Sequence, residues 1–117
     1  MKTARLLCLL ILTGVMLVCF SRAAVVEPQS PRAQYQKFQA DGNFKEAYEG
    51  FRKLALDPAD DVRLVGEDMI RGVQCLQRLN RSAEIDAFLE AVIEAHLGNW
   101  RLLHTAAITY MDQEHYG

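Results

Sequence analysis

Cysteine is scarce in this chain where it could build structure. Of its three cysteines, Cys8 and Cys19 fall in an apolar run near the N-terminus and Cys75 stands alone in the remainder, so that remainder can form no internal disulfide. Cys75 sits inside an apolar helical pattern, without a neighbouring His or a Gly-rich elbow, and reads as a small buried hydrophobe rather than a nucleophile. No stretch alternates polar and apolar residues with period two, which excludes an amphipathic sheet. No Gly-rich phosphate loop and no His-Asp-Ser constellation is present. His96, His104 and His115 are too far apart to offer two ligands on one helical turn, so a zinc site is not expected. His96 reads as a partner for a helix C-terminus. Glu90 and Glu94 lie one turn apart and read as a solvated acidic face, not an acid/base pair. The expectation is a protein that is not an enzyme and that uses neither cofactor nor metal.

Long apolar runs are equally scarce, apart from one. Leu6 to Phe20 follows Lys2 and Arg5 and precedes Ser21 and Ala23, the layout of a secretory signal peptide cleaved after Ala23. At some 15 residues the run is short of the ~20 that span a bilayer, so membrane attachment is expected only through an uncleaved leader. Export to the periplasm, the cell surface or the medium follows. The whole chain has 13 basic and 15 acidic side chains. Losing Lys2, Arg5 and Arg22 with the leader leaves 10 against 15, a net charge of −5. With no basic run carrying interleaved aromatics, nucleic acid is excluded as an expected partner.

What remains is helical throughout. Residues 24–30 read as a flexible tether, and 31–117 as a succession of five helices. Ser30 caps the first and Pro31 opens it; Gly42 ends it. The second carries the stripe Phe44, Ala47, Tyr48, Phe51, Leu54 and Ala55, and Pro58 stops it. Asp60 or Asp61 is expected to cap a third helix with the stripe Val62, Val65, Met69, Val73, Leu76 and Leu79. Asn80 and Arg81 turn the chain, and Ser82 opens a fourth with Ile85, Phe88, Leu89, Val92 and Ile93 inward. Gly98 closes it, and Asn99 caps a fifth with Trp100, Leu103, Ala107 and Tyr110 on one face. Asn80-Arg81-Ser82 also matches the N-glycosylation sequon, although Ser82 as a cap explains the same residues.

Phe38, Leu76 and Tyr110 fall at equivalent places near the ends of the first, third and fifth helices, 38 and 34 residues apart, which marks a repeat rather than a bundle. Phe38, Gly42, Phe44, Ala47, Phe51 and Pro58 resemble the core of a tetratricopeptide repeat. Looser versions follow at Met69, Gly72, Val73 and Leu76, and at Leu103, Ala106, Ala107 and Tyr110. The resemblance implies an all-α solenoid of antiparallel helix pairs, about two and a half units long, and an exported, non-enzymatic interaction module that binds a protein or peptide. In such a superhelix Tyr35, Lys37, Tyr48 and Arg52 are candidates for the partner-facing surface. Leu64 to Gly117 also resembles the helical segment that precedes the macroglobulin domains of large exported bacterial alpha-2-macroglobulin-family proteins. That resemblance implies a piece of a proteinase inhibitor, with no trapping residue carried over. The remaining alternative is a small metal-binding protein or enzyme using His96, His104 and the acidic face.

Tyr116 and Gly117 look like the start of a further helix, so the chain is expected to be a fragment, truncated at its C-terminus. Its fifth helix then leaves Trp100, Leu103, Ala107 and Tyr110 as an exposed apolar docking face, open to downstream domains of its own chain or to self-association.

Overall fold

A computed structural model describes residues 28–113. The signal peptide expected at 1–23, the expected tether as far as residue 27, and His115, Tyr116 and Gly117 lie outside the described residues. Within them every element is helical: α1 (Pro31–Ala40), α2 (Phe44–Ala55), α3 (Val65–Arg78), a 3-10 turn (Ser82–Glu84), α4 (Ile85–Ala95) and α5 (Trp100–Asp112). No described helix is long and apolar enough to cross a membrane.

The helix ends follow from local chemistry. Ser30 Oγ accepts the Ala33 N–H at 3.3 Å, and Pro31 occupies the first turn, where its missing N–H costs nothing. At the other end of α1, Gly42 adopts φ +84°, and the Asn43 N–H reaches back to the Phe38 carbonyl at 2.8 Å. Helix α3 ends the same way. Asn80 takes φ 56°, the only left-handed non-glycine residue among those described, and the Arg81 N–H bonds the Leu76 carbonyl at 2.8 Å. Both are left-handed caps in which the next residue satisfies a carbonyl five positions back. Asn99 caps α5 by accepting the Leu102 N–H at 3.2 Å.

Two expected starts are displaced. Helix α3 begins at Val65, not directly after Asp60 or Asp61, because Asp60 is committed to Arg32 and Asp61 folds onto Arg63 in a turn of its own. Val62 therefore stays 57% exposed, outside the apolar stripe. Ser82 makes no capping bond, so α4 starts only after a 3-10 turn.

The core is assembled from one side of each helix. Ala47, Phe51 and Ala55 of α2, Val65, Met69 and Leu76 of α3, and Leu89 and Val92 of α4 are all fully buried. Helix α3 is the centre, packed on α2, α4 and α5, while α1 packs on α2. Helix α5 turns Leu102 and Ala106 inward, not the stripe of Trp100, Leu103 and Ala107. The α3–α4 contact is tight enough to require glycine: a Cβ at Gly72 would lie 2.7 Å from the Phe88 ring, which is only 4% exposed. Gly72→Ala is expected to cost about 1–3 kcal/mol through overpacking, measured as a lowered denaturant midpoint at constant slope.

Candidate functional site

The residues singled out in the sequence do not form one surface. Tyr35 lies half-buried over Gly50 with its ring edge-on to Phe51, centroids 6.1 Å apart. Tyr48 is core: it is 6% exposed, packs edge-on to Phe88 at 5.5 Å and has the Arg81 guanidinium 5.2 Å from its ring centroid. Burial pushes its phenol above the ordinary value, and its ring is not offered to a partner. Lys37 is exposed and pairs with Asp41 one turn on; Arg52 is exposed on α2. On α5, Trp100 is 70% and Leu103 39% exposed and Ala107 is also open, whereas Tyr110 leans half-buried on the core.

Of the chemical candidates, His96 is buried at the end of α4, and its Nε2 lies 2.8 Å from the Ala55 carbonyl in the last turn of α2. The ring ties two helix ends together. Cys75 is buried and burial pushes its thiol up, away from the reactive thiolate. Among the described residues no three His, Cys, Asp or Glu side chains gather as a ligand set.

Two arrangements were not anticipated. The first is a buried ion cluster. Arg32, at the start of α1, sends Nε to Asp68 Oδ1 at 3.0 Å and a terminal nitrogen to Asp68 Oδ2 at 2.8 Å and Asp60 Oδ2 at 2.7 Å. The Asp68 side chain is 1% exposed. Its burial pushes the carboxyl upward, opposed by the guanidinium, while the hydrogen bonds from Arg32 hold that guanidinium above its own ordinary value. The legible signal was a carboxylate beside Met69 in an apolar stripe, which has to find a cation.

The second is a row of glutamine amides crossing α1, α3 and α5. The Arg71 guanidinium donates to Gln39 Oε1 at 3.0 Å, Gln39 Nε2 donates to Gln74 Oε1 at 3.1 Å, and Gln77 Nε2 donates to Gln113 Oε1 at 3.4 Å. Arg71 is itself braced by Glu67, so its bond fixes which way round the Gln39 amide sits. Two open hollows flank the row. One of about 440 Å³ between α3 and α5 is floored by Ile70, Val73 and Ile108; another of about 600 Å³ between α1 and α3 is edged by Gln39, Phe44 and Arg78. Gln74 and Gln77 line both, so the hollows form one trough. A primary amide has two donors and an acceptor with two lone pairs, and each of these is engaged in one or two bonds, leaving both kinds of group directed to solvent. Such a floor matches the N–H and C=O of an extended peptide, with the hollow floored by Ile70, Val73 and Ile108 open to an apolar side chain and the one edged by Gln39 and Arg78 to a more polar one. No family model, curated protein or solved structure matches the chain.

Proposed function

We propose that this chain is an exported, non-enzymatic interaction module of tetratricopeptide-like helix pairs, about two and a half units, that receives an extended polypeptide segment across α1, α3 and α5. The observation that carries the reading is the amide row with its two hollows. Side-chain bonds recur between the odd-numbered helices and their leading turns at a near-constant interval, which supports the repeat: Arg32–Asp68, Gln39–Gln74, Gln77–Gln113 and Asn99–Val62 join residues 36, 35, 36 and 37 apart. A peptide laid across this row satisfies its backbone on the glutamines and buries alternate side chains in the hollows. Affinity then comes from main-chain bonds and selectivity from the pockets.

The test is to pan the purified chain against a random-peptide display library and to measure the selected peptides by calorimetry on the wild type and on Gln74→Ala/Gln77→Ala. Losing two such hydrogen bonds at about 1 kcal/mol each is expected to weaken binding on the order of tenfold or more, with the melting temperature unchanged because both side chains are exposed. Failure to select any peptide, or selection of peptides indifferent to this double substitution, counts against the reading.

A further inference from the structure

The two hollows of the trough differ in charge. Among the described residues each is lined by one charged side chain, and the two are of opposite sign: Asp112 in the hollow between α3 and α5, Arg78 in the one between α1 and α3. Gln74 and Gln77 line both hollows and so lie between the two charges. Arg71, one to two turns before Arg78 on α3, is already neutralised by Glu67. Arg78 and Asp112 are both exposed, and among the described residues neither is engaged in an ion pair, with the other or with a third group. The Arg78 guanidinium rests 5.8 Å from the Phe44 ring centroid, which keeps it at the edge of its hollow with N–H donors left for a carboxylate.

Resting on the trough as the receiving surface, we propose that its occupant is an extended segment of dipolar sequence: a basic side chain beside Asp112, an apolar one on Ile70, Val73 and Ile108, and an acidic one beside Arg78. The amides of Gln74 and Gln77 take the backbone between the apolar and the acidic anchors. Glutamine offers donor and acceptor alike, so the amides alone accept a segment either way round. The charges remove that ambiguity. The right order pairs both ends, and the reverse order sets like charges together at both. The acidic anchor is the diagnostic one. The chain has a formal net charge of −2, so unspecific attraction favours basic peptides, and an acidic preference at one position reports the local cation.

A library of random linear octapeptides, displayed internally so that no free terminus takes part, is panned on the full chain and on its Arg78→Glu, Arg78→Lys and Asp112→Lys variants, and selected sequences are measured as capped peptides by fluorescence anisotropy. The wild type is expected to select a basic and an apolar residue on one side and an acidic residue on the other. Replacing either charged peptide residue with glutamine is expected to weaken binding about two- to fivefold. Arg78→Glu is expected to turn the acidic position basic and leave the other unchanged, Asp112→Lys to do the converse, and Arg78→Lys to keep the wild-type order. Peptides that need Gln74 and Gln77 but carry no charge pattern, or the same pattern on wild type and both reversal variants, overturn this proposal and leave the trough as the receiving surface. Selection of no peptide, or of peptides indifferent to Gln74→Ala/Gln77→Ala, overturns the trough together with it.

Discussion

Replacing Arg32 with alanine is expected to cost about 3–5 kcal/mol of folding free energy, the penalty of leaving a buried carboxylate without its cation. Asp68 is almost completely enclosed, whereas Asp60 is 13% and Arg32 22% exposed, so water entering where the guanidinium stood reaches Asp60 more readily than Asp68. The loss depends on pH in a defined sense. Burial already raises the Asp68 carboxyl, and without Arg32 it rises further. The folded variant therefore holds a proton that the unfolded chain has released. Its deficit is smallest at acidic pH, near the ordinary carboxylate range, and grows as pH climbs through the raised value. Urea melts of wild type and variant across the acidic range measure both effects. Replacing the pair together, Arg32→Met with Asp68→Leu, is expected to recover most of the stability, because desolvation offsets much of what a buried ion pair gains. A cost below about 1 kcal/mol for Arg32→Ala would mean that the cluster is solvated and unimportant.

Phe51→Ala is expected to cost a similar amount, about 3–5 kcal/mol, through lost burial and an unfilled cavity. Phe51 is fully buried, takes the edge of Tyr35 from α1, and lies under the Arg71 guanidinium at 6.0 Å from the ring centroid. Helix α1 has no fully buried residue of its own, so Arg32 on α3 and Tyr35 on Phe51 are main attachments holding it to the fold. Both substitutions are therefore expected to release α1 before the rest, seen as faster amide hydrogen exchange in residues 33–40 than in α3. Phe51→Leu keeps most of the volume and is expected to cost less than about 1.5 kcal/mol. Uniform exchange across all helices in Phe51→Ala would show that α1 is not a separable unit.

The helices were legible because their ends carry strong local signals. Ser30-Pro31, Gly42 and Asn99 each act through bonds within a few residues, and each occurs where its chemistry requires. The stripes of α2 and α4 were legible for the same reason, since each helix has one apolar side. Where a choice depended on distant partners, sequence was a poorer guide. Asp60 resembles a cap, yet Arg32, 28 positions away, claims it. Helix α5 has apolar residues all round, so periodicity alone could not decide between the Leu102 side and the Trp100 side. Tyr48 has the composition of a contact residue and the position of a core one. The glutamine row went unread because exposed glutamines look like ordinary solvation; the recurrence at 35 and 36 residues, between the 34 and 38 residues of the helix pattern, was the available clue.

The central claim is that the trough across α1, α3 and α5 is where a polypeptide binds. It is tested most directly by nuclear magnetic resonance of the isotope-labelled chain titrated with the strongest display-selected peptide, following backbone and side-chain amides together. The account predicts that the side-chain amides of Gln39, Gln74, Gln77 and Gln113 shift first and furthest, with the backbone around Thr105 and Thr109, while α4 and the part of α2 beyond Phe44 stay still. Shifts confined to the outer residues of those two helices, such as Glu49, Lys53, Glu90 and Glu94, with the glutamine amides unmoved, would contradict it.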